Sequence, residues 1–83
     1  MNGAGINSIM SASPTVEIQY MNGTKITHGK ITSSNATVIV IQTKRIDPAL
    51  LGNDAVLENQ NGNTLDVQIV AINGNKVILK QSL

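Results

Sequence analysis

The sequence predicts an all-β domain, a small six-stranded antiparallel β-barrel with a flexible N-terminal tail, and three observations carry that prediction. Among the larger aliphatic residues seven Val and eleven Ile stand against six Leu, and β-branched side chains fit a pleated, half-buried surface. Asn-Gly falls between apolar runs at Asn22-Gly23, Asn61-Gly62 and Asn73-Gly74. This dipeptide suits the type I′ turn, whose two central residues both need positive φ, and is the strongest short hairpin signal. No long helical pattern interrupts the short apolar runs. Strands joined mainly by hairpins gain from closing on themselves, because closure removes the exposed edges of a flat sheet.

Each element follows from local pattern. Residues 1–13 carry no charged side chain and are rich in Gly, Ser, Ala and Asn, so 1–14 is expected to be a tail and 15–83 the barrel. Within the tail, Ile6, Ile9 and Met10 have helical spacing, which suits docking of one short turn on a partner. The first strand, 16–21, places Val16, Ile18 and Tyr20 inward and Glu17 and Gln19 outward. The second, 24–32, puts Ile26 inward but next offers Ile31, an odd spacing that calls for a bulge at Gly29. Ser33-Ser34-Asn35 forms a turn into the third strand, 36–43. The connection 44–54 contains Asp47-Pro48-Ala49-Leu50-Leu51-Gly52, a helical turn with an Asp cap, Pro first and Gly last; Leu50 and Leu51 are expected to plug one barrel end. The remaining strands are 55–60, the cleanly alternating 64–72, and 76–81.

Composition removes several function classes. The chain is 41% hydrophobic and 13% charged, with one Tyr, no Phe, no Trp and no Cys. Disulfide, iron–sulfur and thiolate zinc sites are excluded by the missing Cys. His28 stands alone, and the carboxylates Asp47, Asp54, Glu58 and Asp66 are scattered, so no metal or cofactor is expected. No Gly-x-Ser-x-Gly elbow and no Gly-rich phosphate loop before a helix is present, so no catalytic residue is assigned. A net charge of +1 and a single ring for stacking argue against nucleic acid as a partner. No stretch is long and apolar enough to span a membrane, and residues 1–13 lack the basic start and apolar run of a secretory signal. A cytoplasmic location is the expectation. A core this small, without a disulfide, metal or large ring, would gain from a second copy or a partner surface.

Val38-Ile39-Val40-Ile41 breaks the alternation, so both faces of the third strand are apolar. One face lines the barrel. The other is covered by the tail, by the 47–52 turn, or by a partner, and these four residues form the candidate interface. Its outer face is expected to centre on Ile39 and Ile41, with Thr37 and Thr43 at the ends. Lys44-Arg45, the adjacent basic pair, is either a solvated loop entrance or a contact for an anion or acidic partner.

Gly29-Lys30-Ile31-Thr32-Ser33-Ser34, a hydrophobic strand, Leu51-Gly52-Asn53-Asp54-Ala55-Val56-Leu57, a hairpin, and a last strand through Val77-Ile78-Leu79 together resemble a PilZ domain over about residues 16–83. That resemblance implies a six-stranded barrel from a bacterial regulatory family. Members that bind cyclic di-GMP carry an Arg-x-x-x-Arg stretch before the first strand and an Asp/Asn-x-Ser-x-x-Gly motif after the second. Here no Arg or Lys precedes Lys25, and only Ser34 of the second motif matches, with Thr32 and Thr37 at its other positions. The resemblance therefore implies a degenerate member that acts through protein contacts. With the missing catalytic motifs and the apolar third strand, the expectation is a non-enzymatic interaction or regulatory module, with a homodimer as one form of the contact. The alternatives are a cyclic di-GMP receptor, with Ser34 and Arg45 as ligand contacts, and a self-assembling structural barrel.

Overall fold

A computed structural model describes residues 5–10 and 13–82. Its six strands are β1 (Thr15–Gln19), β2 (Lys25–Ser34), β3 (Val38–Thr43), β4 (Asp54–Asn59), β5 (Thr64–Asn73) and β6 (Lys76–Gln81). They close into a barrel in the order β1-β2-β3-β6-β5-β4, with every neighbouring pair antiparallel. Inward side chains from all six strands form one aliphatic cluster, in which Ile18, Ile41, Leu57, Ile69, Val77 and Leu79 are fully buried. The interior is a packed core and not a ligand chamber.

The Asn-Gly hairpins are present, but none is built as a type I′ turn, because no residue other than Gly has positive φ among the described residues. In the β1–β2 turn, Gly23 N–H donates to Tyr20 O and Tyr20 N–H to Thr24 O; in the β4–β5 turn, Gly62 donates to Asn59 O and Asn59 to Asn63 O. Each is a three-residue loop whose Gly alone takes the left-handed conformation, at φ +89° and +85°. That is a type I turn followed by a Gly bulge, with Asn kept at negative φ. At the β5–β6 turn Gly74, φ +63°, is the first of two central residues, the place type II′ reserves for Gly.

Pairing registers reveal an internal structural repeat. Gln19↔Lys25 matches Glu58↔Thr64, Ile31↔Ile41 matches Ile69↔Leu79, and Ser34↔Ile39 matches Ile72↔Val77. Both long strands carry an extra residue at the same place, Thr32 in β2 and Val70 in β5. The halves fall one residue out of step at Ile26, a second extra residue of β2 facing β1. The barrel is thus two copies of a three-stranded meander, related by a pseudo-twofold axis that crosses the β1–β4 seam at Ile18↔Leu57 and the β3–β6 seam at Val40↔Ile78. Equivalent interior pairs exchange size: Val16 faces Gly29 in one half, Ala55 faces Val67 in the other.

Gly29 therefore has a different task from the expected bulge, which sits at Ile26 and Thr32. A Cβ at Gly29 would lie 2.5 Å from Gln42 O, 2.6 Å from Ile41 Cγ2 and 2.8 Å from Thr43 Cγ2. The neighbouring strand approaches too closely for any side chain. Tyr20 also departs from expectation. Strand β1 ends at Gln19 and Tyr20 opens the turn, so its ring is exposed instead of inward.

Both barrel ends are sealed by the segment entering each half. Helix α1 (Ile6–Ile9) lies in the stretch expected to be a flexible tail, yet Ile6 and Ile9 belong to the core, Ile9 with no exposed surface. Their helical spacing serves the protein's own barrel; residues 1–4 and 11–12 of the expected tail lie outside the described residues. At the other end, the connection between β3 and β4 buries Ile46 and Leu50. Asp47 caps its 3₁₀ turn (Pro48–Leu50) by accepting from Ala49 N–H, while Leu51 is exposed rather than plugging.

Asn59, buried at the end of β4, fixes the α1 plug. Its Nδ2 donates to Ser8 O and Ile9 O at 3.1 and 3.0 Å, and its Oδ1 accepts from Asn61 and Asn63 N–H. The donors and acceptor of that amide are used in full.

Two stability measurements check this packing. Gly29→Ala is expected to lower unfolding free energy in urea by roughly 1–3 kcal/mol, the usual cost of overpacking. Ile9→Ala is expected to cost about 2–4 kcal/mol as a core truncation, whereas the same change in an undocked tail would stay within about 0.5 kcal/mol.

Candidate functional site: two opposed faces of the barrel

Inward side chains of the described residues pack into the core, and cross-strand register arranges the outward ones in rows. On the β3–β6 seam the central row reads Ser33–Val40–Ile78–Ala71. Val40, Ile78 and Ala71 are half-buried, which leaves an apolar strip on the outer surface. One flanking row reads Lys30–Gln42–Lys76–Asn73 and the other Val38–Lys80–Gln68. Lys30, Lys76 and Lys80 are exposed.

The expected interface on β3 is thereby split. Ile39 and Ile41 are 1% and 0% exposed and line the interior; Thr43, also buried, donates its hydroxyl to Lys44 O. Val38 and Val40 face out. Four consecutive β-branched residues contain no alternation from which to read inward and outward, and the parity expected from sequence was the wrong one of two. Ile78, which completes the outer strip, has its signal in Val77-Ile78-Leu79, where the middle residue alternates outward.

The opposite seam differs in charge. Glu17 and Glu58 are direct partners across β1 and β4, extended by His28 on β2 and Thr64 on β5. The next row reads Gln19–Val56–Asp66. Like charges directly opposite on neighbouring strands are unfavourable, and here the Gln19 amide stands between them. Its Nε2 donates to Glu17 Oε1 at 2.7 Å and to Glu58 Oε1 at 2.6 Å, with the residue itself 8% exposed. Gln19 keeps its expected outward side, where the two carboxylates cover it and leave it buried. Among the described residues, the salt bridge found is Lys25 Nζ to Glu17 Oε2 at 3.9 Å, with both ends well exposed.

The alternative ligand contacts do not converge. Ser34 pairs with Ile39 near the β2–β3 turn, where its hydroxyl meets Met10 Sδ at 3.0 Å. Arg45 follows β3 at the opposite barrel end, about 20 Å away at the usual rise of roughly 3.3 Å per residue. There Arg45 edges an open, mostly apolar cleft of about 420 Å³ with Ile46, Pro48, Ile72 and Asn75. Thr37 lies in the β2–β3 turn, where its N–H donates to Asn35 Oδ1. Among the described residues, no group of three or more His, Asp or Glu side chains is placed to hold a metal ion, and no helix is long and apolar enough to cross a membrane.

Compared with family models, with curated proteins and with solved structures, the chain matches none.

The carboxylate pair supplies a further test. Gln19→Leu removes the shared donor and is expected to cost about 1–2 kcal/mol in urea unfolding. Adding Glu17→Gln in that background should recover part of the loss, and so should about 1 M NaCl, which screens the carboxylate repulsion.

Proposed function

We propose that this barrel is a non-catalytic binding module that engages a protein partner through the outer face of its β3–β6 seam. The observation that carries the reading is the half-buried Val40–Ile78 strip bordered by Lys30, Lys76 and Lys80, apolar at the centre and basic at the rim. Protein interfaces are commonly built in this way, with an apolar centre and a polar margin that selects the partner by charge. Under this reading the protein is a cytoplasmic adaptor or regulatory barrel, and the partner presents an acidic surface. The cyclic di-GMP alternative requires contacts that converge on one ligand. Ser34 and Arg45 stand at opposite ends of the barrel, so the proposal proceeds without it.

Two neighbouring substitutions separate fold from function on the same strand. Ile39→Glu buries a charge in the core and is expected to abolish folding. Val40→Glu points outward and is expected to change stability by about 1 kcal/mol or less. The Val40→Glu, Ile78→Glu double variant should keep the wild-type circular dichroism spectrum and lose the partner in a quantitative pull-down. A partner retained equally by both proteins would refute the assignment of this face.

A further inference from the structure

The charges of the folded chain are segregated in a way the sequence hides. Outward residues of β3 and β6 include Lys76 and Lys80 and no acid, and Lys30 of β2 stands in register with Gln42 beside them. Outward residues of β1 and β4 include Glu17, Asp54 and Glu58 and no base; Asp66 of β5 stands opposite Val56, and Lys25, His28 and Lys30 lie on the β2 side. In the ring order the two seams are separated on either side by a single strand, β2 or β5, so they face in opposite directions. Both are crossed by the pseudo-twofold axis. The acidic seam also concentrates like charge, with two carboxylates held side by side on one amide. Among the described residues, none of the three lysines on the basic seam is in a salt bridge.

We propose that the partner is a second copy of this chain, whose β1–β4 face docks on the β3–β6 face of the first. This inference rests on the binding role of the β3–β6 face and adds the identity of its occupant. Lys30, Lys76 and Lys80 meet the carboxylates Glu17, Asp54, Glu58 and Asp66, and Val40 and Ile78 approach Val56. The Glu17–Glu58 repulsion is offset further by cations from outside the chain. A basic face cannot dock on another basic face, so a closed twofold dimer through either seam is disfavoured. The contact is heterologous and repeats along the axis, giving an open-ended stack. With principal extents of 32 × 24 × 21 Å, each seam offers on the order of a few hundred Å², the size class of weak, reversible contacts.

Sedimentation velocity on the full chain, from micromolar to several millimolar, tests this. The expected result is a mass that rises continuously with concentration at low salt, without a plateau at the dimer, and returns to 8.8 kDa in about 1 M NaCl. Lys76→Glu with Lys80→Glu, and separately Glu58→Lys with Asp66→Lys, should each weaken association by about tenfold or more. Mixing the two folded variants should restore it, because each then presents the face the other lacks. Circular dichroism confirms folding of each variant before mixing. A wild-type chain that stays monomeric throughout overturns the inference, as does association that survives Lys76→Glu with Lys80→Glu or a mixture that fails to assemble. The pull-down with Val40→Glu, Ile78→Glu separates the two proposals. A monomeric wild type that still binds a different protein through this strip sinks self-assembly alone, and loss of both results sinks the face itself.

Discussion

Pairing of β1 with β4 is the constraint on which the rest of the structure depends. It turns two three-stranded meanders into a ring, supplies partners for both outer strands, and makes an interior narrow enough for aliphatic side chains to fill. A chain without Phe or Trp has no large ring to bridge widely spaced layers. The solution is a thin cylinder in which Ile, Leu and Val from facing strands meet directly. Closure also fixes where small residues must stand. Gly29 is held to hydrogen by the close approach of Ile41, Gln42 and Thr43 on β3.

A ring leaves two open ends, and the chain closes both with the same device. Each meander is preceded by a short turn bearing two aliphatic residues, Ile6 and Ile9 in one case and Ile46 and Leu50 in the other. The turns differ in how they are tied down. Asn59 holds α1 by its amide, whereas Asp47 and Pro48 shape the 3₁₀ turn from within its own sequence. The first plug rests on contacts between residues far apart in the chain, and the second is largely local.

This difference explains what was legible in the sequence. Strand number, hairpin positions and the capped 3₁₀ turn are encoded by residues close together, and the barrel follows from them. The third strand's facing was not legible, because Val38-Ile39-Val40-Ile41 satisfies either parity and only the partners β2 and β6 decide. Bulges at Ile26, Thr32 and Val70 leave no mark in residue type. Gly29 did announce a local peculiarity, but whether a strand glycine serves a bulge or a close approach depends on the neighbour across the ladder. The internal repeat was hidden as well, since equivalent residues such as Gly29 and Val67 or Tyr20 and Asn59 differ in chemistry and only their registers agree.

The internal pseudo-symmetry also bears on the candidate faces. A perfectly repeated barrel would place the same side chains on either side of its twofold axis at each seam. It would say nothing about how one seam compares with the other, because β1–β4 and β3–β6 are never exchanged by that axis. The seams were therefore free to differ in charge without disturbing the symmetry of the core. Lys76 and Lys80 flank one, Glu17 and Glu58 the other, while Ile18, Leu57, Ile39 and Leu79 beneath them share the same aliphatic role. Interior positions answer to packing shared by both halves, and outward positions answer to what each seam meets. On the binding role proposed above, a small barrel with a filled interior would use that outer difference to distinguish one partner from another.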